Sequence, residues 1–231
     1  MRPLWSLPFL IFPLQCPLCG GLTAIKEPLC KDCIQGLRNP ISTPRCALCG
    51  IKLQFGTDRR CLGCLKNPPV VDALTVYTDY TGKARKLIHL IKFRANRRLA
   101  LLAGRLLSEL PIPFADAIVP VPLSKRRLIQ RGFNQSQVMA GAISEKTAIP
   151  VKNLLVRTKD TPPQSGLGRK ERLKNIKGAF SLNDRDGLPR SVIVVDDVFT
   201  TGATVNEVAR VLKKAGVHTV SALVFARTPE D

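Results

Sequence analysis

Aromatic side chains make up only 5% of this 231-residue chain, with a single Trp and two Tyr. Such a chain has few flat platforms on which nucleobases stack, so contact with nucleic acid would lean on charge. Histidine is scarce too. The two present, His89 and His218, lie in apolar patterns and read as packed side chains rather than catalytic ones. Carboxylates are outnumbered: 17 Asp and Glu stand against 36 Lys and Arg, a formal charge of +19. Long apolar runs are missing. The apolar leader, residues 1–14, is broken by Pro8 and Pro13 and falls far short of the roughly 20 residues that cross a bilayer. Gln15 ahead of Cys16 also spoils a small-residue cleavage site. A membrane span and an export signal are both disfavoured, and the chain is read as cytoplasmic.

Eight cysteines in a chain of that kind argue for thiolate–metal sites rather than a disulfide scaffold. They fall in four C-x-x-C knuckles: Cys16 and Cys19, Cys30 and Cys33, Cys46 and Cys49, Cys61 and Cys64. The first knuckle repeats in the third at an offset of 30 residues, and the second in the fourth at 31. One knuckle supplies two of the four ligands a tetrahedral zinc needs, so four knuckles make two structural Zn2+ sites. The simplest pairing is serial, with Cys16, Cys19, Cys30 and Cys33 on one metal and Cys46, Cys49, Cys61 and Cys64 on the other. Cross-braced pairing, first knuckle with third, stays open. Zinc would replace the core that some seventy Pro- and Gly-rich residues cannot build. A boundary is expected at Pro68-Pro69, giving a cysteine module over 1–69 and a core domain over 70–231.

The most informative stretch is Val192-Ile193-Val194-Val195-Asp196-Asp197-Val198-Phe199-Thr200-Thr201-Gly202-Ala203-Thr204. Val192 to Val195 suits a buried parallel strand, which places Asp196 and Asp197 at its carboxyl end, where open α/β sheets hold ligands. From Ala203 the positions Val205, Val208, Ala209 and Leu212 follow helical spacing to a stop at Gly216. The turn between is a helix N-terminus suited to an anion. Thr200, Thr201 and Thr204 offer hydroxyl donors, while Gly202 lets backbone come close. Adjacent carboxylates would repel a phosphate, so they fit sugar hydroxyls nearby. A ribose 5-phosphate satisfies both halves. The plain alternative is an acid pair capping a helix below a Thr-rich turn.

The rest of the core domain alternates strands and helices, which predicts a mostly parallel sheet. Strands are expected at Val71 to Thr78, Asp116 to Val121, Val151 to Arg157, Ala179 to Leu182 and Thr219 to Ala226. Helices are expected from Gly82 to Glu109, broken near Ala95-Asn96, and from Asn134 to Thr147. The basic loop after Val121 would bring Ser124, Lys125 and Arg126 across the crevice from Asp196, as a site for pyrophosphate. Between Lys83 and Gln135 twelve Lys or Arg oppose only Glu109 and Asp116. Such a surface attracts polyphosphate or nucleic acid in a salt-dependent way, unless it is simply a solvated face.

The acid pair with its Thr-Thr-Gly-Ala-Thr turn resembles the signature loop of type I phosphoribosyltransferases. That resemblance implies 5-phosphoribosyl 1-pyrophosphate (PRPP), with Mg2+, as ligand: Asp196 and Asp197 on the ribose hydroxyls, Thr200 to Thr204 on the 5-phosphate. The segment Thr161 to Lys174 is similar to the flexible hood loop of glutamine amidophosphoribosyltransferases, which would add Arg169 or Arg172 to the pyrophosphate. Glutamine chemistry itself is disfavoured, because Cys16 is committed to metal.

Cys16-Pro17-Leu18-Cys19-Gly20, the doubled knuckles, Leu87-Ile88-His89-Leu90-Ile91-Lys92-Phe93, and Arg131-Gly132-Phe133-Asn134-Gln135-Ser136 extend the likeness to nearly the whole chain, which resembles the bacterial ComF family. The resemblance implies an α/β fold, a type I phosphoribosyltransferase-like mostly parallel sheet with flanking helices behind a small double zinc ribbon. It also implies a role in natural transformation, handling single-stranded DNA beside a DNA translocase partner. The alternative is an active phosphoribosyltransferase with unknown acceptor. No side chain declares itself as the acceptor's base.

Overall fold

The computed structural model describes residues 15–24, 27–38, 44–53, 59–160, 175–183 and 187–229. The apolar leader and the hood segment 161–174, with Arg169 and Arg172, lie outside them.

Each half of the cysteine module repeats one plan. A knuckle closes a tight antiparallel bridge, Gln15 with Leu22 and Arg45 with Lys52. The second knuckle of each half opens a short helix whose N-cap is itself a cysteine: α1 (Lys31–Leu37) behind Cys30 and α2 (Leu62–Lys66) behind Cys61. The duplication is therefore structural as well as sequential.

The core domain is built on a four-stranded, all-parallel sheet. Its strands are β1 (Ala73–Asp79), β2 (Ala117–Pro120), β5 (Ser191–Phe199) and β6 (Thr219–Arg227), in the order β1-β6-β5-β2. Two short strands, β3 (Leu155–Arg157) and β4 (Phe180–Leu182), form a separate antiparallel pair. β-Branched residues fill the central strands because both faces are covered. Val192 and Val194 enter one core and Ile193 and Val195 the other, all at most 1% exposed.

The first face carries α3 (Gly82–Phe93), α4 (Arg97–Leu107) and α6 (Gln135–Thr147), joined by Leu29, Cys33 and Leu37 of the first ribbon. The second face carries α7 (Ala203–Ala215), whose Val205, Val208, Ala209 and Leu212 meet Phe180 and Ile176 beside the β3–β4 pair. The second ribbon lies along the outer side of β1, where the Ala47 carbonyl accepts from Leu74 N–H at 2.7 Å. Its carbonyl at Cys49 accepts from Arg227 Nε at 2.6 Å, and Arg45 and Lys52 both pair with Asp79, at 3.0 and 2.5 Å.

Several expectations are revised. β5 runs on through Asp196 and Asp197 to Phe199, because β6 is equally long and keeps pairing to Arg227. β2 stops earlier, at Pro120 opposite Val195, so the acid pair lies beyond the end of β2, where α/β sheets place their ligand crevices. The basic segment after Val121 is a helix, α5 (Lys125–Arg131), because Ser124 caps it by accepting from Arg127 N–H. Val151 makes only one bridge, to Ile118, and the strand proper begins at Leu155. His89 and His218 are exposed, not packed.

Helices α4 and α6 cross closely at Gly104, where an added Cβ would lie 2.7 Å from both the Cα and the carbonyl oxygen of Met139. Backbone cannot yield as a side chain does. Gly104→Ala should therefore cost about 1–3 kcal/mol of stability, more than the ~1 kcal/mol that alanine gains in helix propensity. A lowered urea midpoint at unchanged slope is the expected result.

Candidate functional site

In the cysteine module the sulfurs of Cys16, Cys19, Cys30 and Cys33 form one cluster, and those of Cys46, Cys49, Cys61 and Cys64 a second, each within 4.8 Å. Pairing is serial. Cys19 and Cys30 Sγ are 3.6 Å apart, as are Cys49 and Cys61 Sγ. A disulfide would need about 2.05 Å, whereas a tetrahedron of metal–sulfur bonds near 2.3 Å has edges of roughly 3.8 Å. Main-chain N–H groups of Gly21 and Cys61 donate to Cys19 and Cys46 sulfur at 3.4 and 3.3 Å, which helps orient both ligands. Four sulfurs close each shell, so both tetrads suit structural zinc.

At the carboxyl end of β5 the two carboxylates are buried, Asp196 at 8% and Asp197 at 4% exposure. Buried charge demands partners, and these come from the first turn of α6 and the last turn of α3. Ser136 Oγ donates to Asp196 Oδ1 at 3.3 Å, and the Asp197 N–H donates to the same oxygen at 2.9 Å. Gln135 Nε2 donates to Asp197 Oδ2 at 3.0 Å, and Lys92 Nζ lies 2.9 Å from Asp197 Oδ1. Arg131 Nη1 in turn donates to Gln135 Oε1 at 3.1 Å.

The stretch Arg131 to Ser136 thereby acquires a physical meaning. Gly132 ends α5 in a left-handed conformation, and Asn134 caps α6 by accepting from Ser136 N–H. The Asn134 amide also donates to the Val121 carbonyl at 3.0 Å, which ties the start of α6 to the end of β2. Each polar residue of the stretch either turns the chain or holds a carboxylate.

Burial, with the neighbouring Asp197 charge, lifts the Asp196 carboxyl to about 7, against the opposing pull of Lys92. Two guanidiniums are shifted the other way. Burial lowers Arg131, and burial followed by the nearby Arg127 lowers Arg157 to about 10, while Asp196 opposes both shifts. Arg131 and Arg157 thus sense the acid pair, and both feel the charge of Arg127.

Beyond the acid pair, β5 leads into the turn that opens α7. Gly202 caps that helix at φ +75°, and a Cβ there would meet the Phe199 ring at 2.5 Å, so only glycine fits. Its carbonyl accepts from Asn206 N–H and Asn206 Nδ2, both at 2.9 Å, and Asn206 Oδ1 accepts from Val70 N–H at 2.6 Å. Thr201 Oγ1 accepts from Ala203 N–H at 3.4 Å. Thr200, Thr201 and Thr204 are half-buried, and Ala203 is buried.

Ser124 is buried and donates to Asp160 Oδ1 at 2.7 Å, while Lys125 and Arg126 are exposed. Arg131, in the last turn of α5, is the cation that meets the acid pair in their place, through Gln135. Sequence reasoning missed Lys92, Arg127, Arg131, Gln135, Ser136 and Arg157. The available signal was a run of polar residues opening an otherwise apolar helix, next to a Gly.

Known proteins place this arrangement. Residues 9–65 match the family model described as Double zinc ribbon domain, and residues 100–231 match Phosphoribosyl transferase domain. Competence protein F of Haemophilus influenzae is 36% identical over 94% of this chain and 98% of its own length. The chain belongs to the ComF family. DNA utilization protein YhgH of Escherichia coli K12 is 33% identical, covering 95% of this chain and 99% of its own. Competence protein ComFC of Streptococcus pneumoniae is 27% identical over 86% of this chain and 87% of its own. Among solved structures, glutamine phosphoribosylpyrophosphate amidotransferase from B. subtilis aligns at TM-score 0.39 and 21% identity, over 54% of this chain and 25% of that one. The ComF-family chain thus spans a quarter of that enzyme's length. Among the described residues, no helix is long and apolar enough to cross a membrane.

Two outcomes are expected here. The double variant Cys16→Ala/Cys33→Ala should lose one zinc per chain by elemental analysis, whereas cross-bracing would lose both. Because the Asp196 carboxyl rises above its unfolded value near 4, the folded state holds the proton longer, and its contribution to stability falls as pH climbs from about 4 to about 7. Asp196→Asn keeps the oxygen that accepts these bonds and removes the charge. Denaturation at pH 5 and pH 8 should show the variant losing less stability than wild type over that interval.

Proposed function

We propose that this ComF-family protein binds a 5-phosphoribosyl ligand of the PRPP type in the crevice between β5 and β2, and handles single-stranded DNA during natural transformation. The observation that carries the ligand reading is the meeting, at one sheet end, of a buried acid pair with a Thr- and Gly-lined helix N-terminus. Both bonds to Asp196 fall on Oδ1, so Oδ2 is the atom through which it would meet a ribose hydroxyl. Asp197 already has both oxygens engaged, and would exchange Lys92 or Gln135 for ligand.

The 5-phosphate would take the N–H groups at the start of α7 and the hydroxyls of Thr200, Thr201 and Thr204. Arg127, Arg131 and Arg157 suit the pyrophosphate better than Lys125 and Arg126, since the latter pair faces solvent. Mg2+ bound with PRPP would offset the ligand's charge beside the carboxylates. Residues 1–69 would serve as a zinc-bound module and 70–231 as the ligand-binding unit, in the cytoplasm, beside a DNA translocase. The DNA reading is supported by relatives that carry competence and DNA-utilization names over nearly their full length, and by the basic excess of the chain.

The test is a pair of titrations, Mg2+-PRPP by calorimetry and a labelled single-stranded oligonucleotide at two salt concentrations. Wild type should bind both, the DNA with a salt-dependent affinity. Asp196→Asn/Asp197→Asn should weaken PRPP at least tenfold and leave DNA affinity unchanged. Absence of PRPP binding sinks the ligand reading, and absence of salt-sensitive DNA binding sinks the handling role. Release of pyrophosphate on adding an acceptor would favour the enzyme alternative.

A further inference from the structure

From the geometry of α3 we infer that its outer side is the track on which single-stranded DNA lies, with His89 and Phe93 as the base-stacking platform. This rests on the DNA-handling reading and assigns it a place. Arg85, His89 and Phe93 recur at four-residue spacing, which puts them along one side of the helix, and all three are exposed. The His89 and Phe93 rings pair at 4.6 Å between centroids, tilted by 39°. Phe93 is 63% exposed, so its ring is accessible to a partner.

Charge selects the occupant. From Tyr80 to Ser108 the sequence has no Asp or Glu, and Arg85, Arg94 and Arg97, on α3 and just beyond its end, are exposed. A protein interface of this sort would need an acidic partner face. A polyanion carrying exposed bases satisfies the cations and the rings together. In a chain so poor in aromatic residues, a ring pair set among arginines supplies the stacking surface that composition alone denied.

The track has two ends. Toward its start, Lys83 and Lys86 donate to the Asp32 and Leu18 carbonyls of the first ribbon, at 3.3 and 2.6 Å. At its finish, Lys92 reaches Asp197 in the crevice. Helix α3 is about 18 Å long, so a bound strand would run from the first zinc module to the rim of the phosphoribosyl site.

The experiment measures binding of a labelled oligo-dT to the full chain by fluorescence anisotropy across a salt series. Phe93→Ala and His89→Ala should each weaken binding about tenfold with the salt slope unchanged, because they remove stacking and not charge. Arg85→Ala should lower the slope by about one phosphate contact. Phe93→Leu, which retains apolar bulk without the ring, should behave like Phe93→Ala. Thermal melting and zinc content are read alongside and should match wild type. Failure of the DNA-handling reading shows as no salt-sensitive binding by wild type, and the track falls with it. Failure of the track alone shows as wild-type binding that Phe93→Ala and His89→Ala leave intact. A shift from dimer to monomer in Phe93→Ala with DNA affinity retained would instead make this face a contact between copies, and would overturn the proposal.

Discussion

Two adjacent carboxylates driven into a protein interior are tolerated only if other groups hold them, and much of this domain's architecture answers that demand. Lys92 arrives from the end of α3, Gln135 and Ser136 from the start of α6, and Arg131 from the end of α5. Helix α3 is thereby brought from a distant part of the chain to the point where α5 gives way to α6. Cutting any of these ties leaves a desolvated charge, which costs more than the hydrogen bond alone. The site is therefore held in place by the same contacts that close one end of the fold.

That knot also explains why β5 is longer than its apolar core. The strand does not end where hydrophobicity ends, because β6 continues beside it to Arg227 and fixes the backbone of both aspartates. On the other side, among the described residues, β2 pairing ends opposite Val195. A ligand would approach from the flank where pairing stops, against a rigid wall on the other. Gly202 fixes the turn into α7, held through Asn206 to Val70, the residue that follows the Pro68-Pro69 link.

Much of this was legible in residue order because strong local signals agreed. The knuckle offsets announced a duplicated metal module, and the apolar run before Asp196 announced a central strand. Alternation of strands and helices announced a parallel sheet. What local pattern could not convey was direction around a helix axis. Ser124 looks like a loop residue until its hydroxyl is seen capping α5, and that single turn moves Lys125 and Arg126 outward and Arg127 and Arg131 inward. The histidines show the same limit: apolar neighbours at i−1 and i+1 suggested burial for His89, but on a helix those neighbours face elsewhere. Serial against crossed metal pairing was likewise undecidable from spacing, since both satisfy four knuckles.

The second ribbon's carbonyl at Ala47 reaching Leu74 carries one last implication. A β-element at the margin of a sheet is a template for stray chains, and proteins usually blunt it with lysine, proline or a bulge. Here the blunting is entrusted to a fold that only a bound ion can hold together. Depletion of that ion would do more than loosen a small module: it would uncover a sticky rim and make the chain a seed for aggregation.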